Sequence, residues 1–317
     1  MGGMNPSVSA HSRRRFLQVV SGGALAGSLA RLPAADPAAG KWIDAHVHVW
    51  TPDTKKYPLA PDYTVADMLP PSFTPGELFA HCRPQGVSRI VLIQMSFYQY
   101  DNRFMLDMMK EHPGVFSGVG IVNENAPNLS GRLKVLAEGG VRGLRITPGK
   151  TPIAEWLGSA GMKALWLAAA DHGMAVCPLI NPEALPLIRA KCESFPKTKV
   201  VIDHFARIGM AGPVEPAQLD LLCGLAEFPT VHVKTSAFYA LGAKKAPYTD
   251  LGPMIRRLVG AYGAERLMWA SDCPYQVQEG HNYADSIALV RDRLDFLTED
   301  QKEWMLRKTA EKVFFQA

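Results

Sequence analysis

No CxxC pair occurs in this chain. Its five cysteines, Cys82, Cys177, Cys192, Cys223 and Cys273, are dispersed through 317 residues. That spacing speaks against a zinc ribbon and a dithiol redox motif, and each thiol reads as a small buried hydrophobe. Long apolar runs are missing too. The one weakly apolar stretch, residues 19–29, is interrupted by Gly22, Gly23 and Gly27. It falls short of the ~20 residues a spanning helix needs, so no stable membrane anchor is expected. No low-complexity tract or long linker divides the rest. Excess charge is also scarce. The formal net charge is +4, but +3 of it lies in the first 40 residues, as Arg13, Arg14, Arg15 and Arg31 against Asp36. With no basic stripe interleaved with aromatics, no nucleic-acid partner is expected.

What is present is an alternation. Short apolar strands are expected at 42–49, 89–95, 115–121, 142–147, 174–180, 199–203, 230–235 and 267–271. Helical patterns lie between them, at 74–83, 102–111, 129–138, 161–172, 182–195, 216–227 and 251–262. Pro182, Pro216 and Pro253 stand near helix starts, where a missing N–H costs little. Runs such as Arg89-Ile90-Val91-Leu92-Ile93 are apolar on both faces, as parallel strands covered by helices must be. Eight such units predict an α/β fold, a single-domain (β/α)8 TIM barrel over residues 41–317. A doubly wound sheet would want a glycine-rich turn after its first strand, and none follows here.

The first strand carries Ile43-Asp44-Ala45-His46-Val47-His48. In a regular strand, side chains two apart share a face, so Asp44, His46 and His48 are expected to project together. Two imidazoles on one wall can hold a divalent metal or polarise a carbonyl. In a barrel of this kind the reactive groups sit at the C-terminal ends of strands. Several of those ends are polar: Gln94 and Ser96 to Asn102 after strand two, Arg145 on strand four, Asp203-His204 on strand six, Lys234-Thr235-Ser236 on strand seven and Ser271-Asp272 on strand eight.

His46-x-His48, His204 and Ser271-Asp272-x-Pro274, in this order and spacing, resemble the amidohydrolase superfamily in its amidohydrolase-related (type 2) branch. The finer pattern is similar to the lactonase-like group. It comprises Gln94, Asp101-Asn102, Val141-Arg142-Gly143-Leu144-Arg145, Val201-Ile202-Asp203-His204, Val233-Lys234-Thr235-Ser236 and Met268-Trp269-Ala270-Ser271-Asp272. The resemblance implies a hydrolase that opens a small lactone or related cyclic ester of sugar or aromatic-catabolite type. Asp272 would be the general base that activates water. His46, His48 and His204 would polarise the carbonyl. Arg145, whose planar fork suits a carboxylate, is the candidate clamp for a small-molecule substrate, with Gln94, Tyr98, Asn102 and Lys234 as further contacts.

One departure bears on cofactors. Metal-binding relatives carry a histidine at the end of strand five, where this chain reads Met174-Ala175-Val176-Cys177-Pro178-Leu179-Ile180-Asn181. With neither histidine nor lysine there, a dinuclear centre is not expected. A single ion such as zinc would have His46, His48 and Asp272, and three protein ligands suffice for a catalytic zinc. The leading expectation is that no metal is required. The alternative is a mononuclear metal-dependent decarboxylase or amidohydrolase of the same superfamily. A third reading, a non-catalytic binding protein on an old barrel, predicts ligand binding without turnover.

Ser12-Arg13-Arg14-Arg15-Phe16-Leu17-Gln18 resembles a twin-arginine export signal. A basic, then apolar, then small-residue order over residues 1–40 suggests a signal peptide and short linker. The twin-arginine export machinery is thus an expected partner and the periplasm the expected location.

Overall fold

The structure, a computed structural model, describes residues 41–316. The export-signal reading of residues 1–40 lies outside the described residues. Eight strands, β1 (Trp42–Val47), β2 (Val87–Ile93), β3 (Phe116–Gly120), β4 (Val141–Ile146), β5 (Ala175–Pro178), β6 (Lys199–Ile202), β7 (Val231–Thr235) and β8 (Leu267–Trp269), form one sheet in chain order. Each neighbouring pair is parallel. A parallel bridge from Val47 to Cys273 draws the ring together. There His48 N donates to Cys273 O at 2.8 Å and Asp272 N to His46 O at 2.9 Å. The expected (β/α)8 barrel is therefore observed.

The helices are α1 (Pro75–Cys82), α2 (Arg103–Glu111), α3 (Leu129–Glu138), α4 (Ile153–Gly158), α5 (Ala160–Asp171), α6 (Leu185–Ser194), α7 (Pro216–Gly224), α8 (Gly252–Tyr262), α9 (Tyr283–Ala288) and α10 (Glu299–Glu303). Their starts follow from local chemistry. Thr74 caps α1 and Glu77 bonds back to Thr74 N at 2.7 Å, a reciprocal box that contributes about 1 kcal/mol. Helices α4 and α9 have only six residues each, too few for a 3.6-residue period to show in the sequence. The chain continues from α10 through π-helical turns at Trp304–Lys308 and Glu311–Phe315.

Inside the barrel, Ile43, Ala45, Val91, Val119, Val201 and Met268 pack with Val313 and Phe314 from the C-terminal helix. Phe314 closes the end of the barrel where β3 begins, since Ser117 Oγ donates to its carbonyl at 2.6 Å. The opposite end remains for polar groups. All five cysteines are free; Cys223 is half-buried and the others buried. Among the described residues no helix is long and apolar enough to cross a membrane.

One expectation fails in this strand region. Asp44 does not project with His46 and His48. The β1–β2 register slips between Asp44 and Val47, and an irregularity of this kind switches the face that later side chains occupy. Ile43 and Ala45 face the barrel interior, while Asp44 accepts from Tyr283 Oη of α9 at 2.7 Å and Ser271 N at 2.9 Å. Burial pushes Asp44 up to about 6, against these donors.

Candidate active site

The slip in β1 turns both His46 and His48 toward the open mouth. His48 Nδ1 lies 3.0 Å from the carbonyl oxygen of Ile93. A carbonyl only accepts, so Nδ1 carries the proton and Nε2 presents its lone pair. That Nε2 stands 3.3 Å from His46 Nε2 and 3.4 Å from Asp272 Oδ1. Asp272 sits just beyond β8 at φ +65°, a left-handed conformation that aspartate tolerates better than most residues. Tyr239 Oη donates to Asp272 Oδ2 at 2.7 Å. Asp272 Oδ1 is buried without a hydrogen-bond partner among the described residues.

His204 opens an unusual turn. Residues 204–207 all have φ between +50° and +60°, one left-handed turn with no glycine in it. Such a backbone costs roughly 1–2 kcal/mol per residue and is characteristic of functional sites. It brings His204 and Arg207 to the same cleft. Ser236 Oγ tethers His204 Nδ1 at 2.8 Å. Burial pushes His204 down to about 4, partly offset by Asp272 and Asp203. Its ring is neutral at neutral pH.

Beneath the histidines lies a sealed charge cluster. Asp203 is fully buried. Lys234 Nζ lies 3.0 Å from its Oδ1, Arg145 Nη2 3.2 Å from its Oδ2, and His46 Nδ1 3.4 Å from Oδ1. Burial would raise Asp203, but Lys234, His46 and Arg145 together keep it well below the ordinary range. Arg145 Nη2 also lies 3.0 Å from His46 Nε2, and Lys234 Nζ 3.2 Å from Nδ1. Both cations can only donate, and a neutral imidazole accepts at one nitrogen. A donating Arg145 places the lone pair on Nε2 and the proton on Nδ1, facing Asp203. Burial, with Lys234 and His204, keeps His46 neutral.

The cleft above this cluster has a volume of about 290 Å³. Polar lining comes from His48, Arg145, His204, Arg207, Tyr239, Asp272 and Tyr275, and apolar lining from Met95, Leu179 and Leu241. The structure thus brings together Asp272, His46, His48, His204 and Arg145. Four other candidate contacts stand apart from it. Gln94 is buried and donates to Gln99 O and Asp101 O. Asn102 bonds to Tyr100 O and to both backbone groups of Ile121. These two amides tie down their own loops. Tyr98 packs against Phe97 and Phe104. Lys234 is fully buried and reaches Asp203 and His46 rather than the cleft. Tyr239, Arg207 and the central role of Asp203 were missed. Asp203 had a signal, since it adjoins His204 at a strand end. Tyr239 and Arg207 had none, because loop geometry alone delivers them.

The donors suit a single divalent ion by spacing. Bonds of about 2.0–2.1 Å around a tetrahedral zinc put neighbouring ligand atoms about 3.3 Å apart, close to the 3.3–3.5 Å among His46 Nε2, His48 Nε2 and Asp272 Oδ1. Among the described residues, His46, His204 and Asp272 also form a set whose ligand atoms lie within 4.8 Å of one another. An ion held there would act as a Lewis acid on a carbonyl.

The family model described as amidohydrolase matches residues 43–316. The chain belongs to the amidohydrolase family. This amidohydrolase is 28% identical over 243 residues to an L-fucono-1,5-lactonase of Burkholderia ambifaria, covering 75% of this chain and 82% of that one. It is 28% identical over 261 residues to a 2-pyrone-4,6-dicarboxylate hydrolase of Comamonas testosteroni, covering 77% and 80%. In fold it matches a Pseudomonas putida candidate 2-pyrone-4,6-dicarboxylic acid hydrolase, with TM-score 0.72, 24% identity and coverage of 87% and 97%. It also matches a Burkholderia multivorans amidohydrolase with bound zinc, with TM-score 0.73, 19% identity and coverage of 87% and 99%.

Proposed function

We propose that this amidohydrolase opens a small lactone or related cyclic ester without requiring a metal. The observation that carries the reading is the setting of the buried Asp272 carboxylate. One oxygen is held by Tyr239, and the other lies unpartnered beside His46 and His48 at the floor of a small cleft. A water in the cleft that Asp272 lines gives its proton to the carboxylate as it attacks the acyl carbon. Neutral His204 and the Arg145 guanidinium, which both line the cleft, supply donors for the developing oxyanion. Collapse of the tetrahedral intermediate breaks the ring C–O bond, and the proton returns to the leaving alkoxide. Arg207 gives the cleft a second guanidinium, which suits a carboxylate-bearing substrate.

The test is hydrolysis of a lactone panel by the chelated protein, alongside Asp272→Asn. The native protein should turn over at least one member. The variant, folded, should lose about 10²–10⁴-fold, the usual share of a general base. Full activity in Asp272→Asn would remove the base. Activity that returns only with added zinc would remove the metal-free part. The motif at residues 12–18 supports export to the periplasm by the twin-arginine route. Loss of periplasmic recovery on Arg13→Lys/Arg14→Lys/Arg15→Lys is the expected outcome.

A further inference from the structure

Three donor atoms at a spacing fit for zinc would ordinarily be read as a metal site, yet a fixed cation already stands among them. Arg145 Nη2 is 3.0 Å from His46 Nε2 and 3.2 Å from Asp203 Oδ2. A guanidinium cannot lose its proton inside a protein, so the His46 Nε2 lone pair is engaged by a permanent positive charge. Both candidate ligand sets, His46–His48–Asp272 and His46–His204–Asp272, need that histidine. The other His46 nitrogen faces Asp203 and Lys234, both fully buried, and offers no route for an ion. The arginine is itself buried and anchored from behind, because Asp203 is held in turn by Lys234 at 3.0 Å. It cannot swing away cheaply, since that would strand Asp203 with one partner fewer.

We propose that Arg145 serves this site in place of a divalent cation. Its guanidinium supplies the fixed positive charge beside His46 and keeps a metal ion out of the histidine–aspartate set. The proposal rests on the metal-free reading above. It also accounts for a site that retains metal-like donor spacing without the strand-five histidine: the charge comes from strand four instead.

The experiment titrates the chelated full-length chain with Co²⁺ alone. It follows visible d–d absorption and counts bound metal after desalting. The native protein should retain no stoichiometric cobalt. Arg145→Met should bind one ion per chain, at least about 100-fold tighter than native, as expected when a cation some 5 Å from a divalent ion is removed. That gain should vanish in Arg145→Met/His46→Ala. Arg145→Gln replaces the methionine variant if the latter does not fold by circular dichroism. Stoichiometric cobalt in the native protein overturns the proposal, as does a folded neutral variant that gains none. Should neither variant fold, the native titration decides alone, with uptake refuting the proposal and none at millimolar cobalt upholding it. Lactone assays on the same samples separate the two readings. A native protein that binds cobalt and opens lactones sinks only the role of Arg145. One that opens none, with or without metal, sinks the hydrolase reading itself.

Discussion

Asp203 stands between two buried cations, and removing its charge should be felt throughout the barrel. Lys234 Nζ lies 3.0 Å away and Arg145 Nη2 3.2 Å away, and Asp203 and Lys234 are fully buried. At an effective dielectric near 20 each contact amounts to about 5 kcal/mol of Coulomb attraction. Most of this is offset by the cost of taking three charges out of water, several kcal/mol per ion. The net worth of the cluster is therefore small, but its breakage is not. Asp203→Asn leaves two cations without their anion, and such losses run to about 3–5 kcal/mol, a large share of the roughly 5–15 kcal/mol that holds a domain folded. Urea unfolding followed by tryptophan fluorescence should show that drop with an unchanged slope. Asp203→Asn/Lys234→Met removes one stranded cation and should recover about half of the loss, a non-additivity that a double-mutant cycle reads directly. A single-variant loss below about 1 kcal/mol, or a double variant that is simply additive, would refute the charge-balance reasoning.

Two further outcomes follow from the same geometry. Tyr239→Phe removes a 2.7 Å charge-assisted hydrogen bond from Asp272 Oδ2. Without that bond the carboxylate loses its fixed aim, so lactone turnover should fall about 10- to 100-fold with little change in KM. Unchanged kcat would show that the tyrosine only lines the cleft. His232 is buried beside Thr230 O, and burial, with Lys199, Arg266 and Lys312, pushes it down to about 4. Between pH 6.5 and about 4 the unfolded chain takes up a proton that the folded chain refuses. Its contribution is thus complete above pH 6.5 and is lost as pH falls through that window, by about 3 kcal/mol. His232→Gln should flatten the pH dependence of unfolding there, and identical slopes for native protein and variant would dismiss this histidine as the cause.

Much of the barrel was legible because its signals are periodic and local. Short apolar runs mark parallel strands whatever lies around them, and all eight strands, three to seven residues long, appear within a few residues of where periodicity puts them. Thr74 with Glu77, or Pro216 at a helix start, act through bonds a few residues long. The polar strand ends also survive translation into three dimensions, since the barrel rule maps them to one mouth. The short helices α4 and α9 did not show, because six residues complete fewer than two turns.

What the chain by itself determined was the (β/α)8 architecture and the meeting of His46, His48, His204, Arg145 and Asp272 at one end of it. Tertiary structure alone decided how each of these is used. A register slip turns His46 and His48 to the mouth and leaves Asp44 outward on Tyr283. A left-handed turn delivers Arg207 to the cleft, and a loop brings Tyr239 to Asp272. The fate of Arg145 was settled the same way, by His46 arriving on β1 and Asp203 from the turn after β6. Strand and helix periods are short-range consequences of backbone geometry, whereas the pairing of a buried charge depends on which partners lie within about 3 Å, a distance only the closed barrel sets.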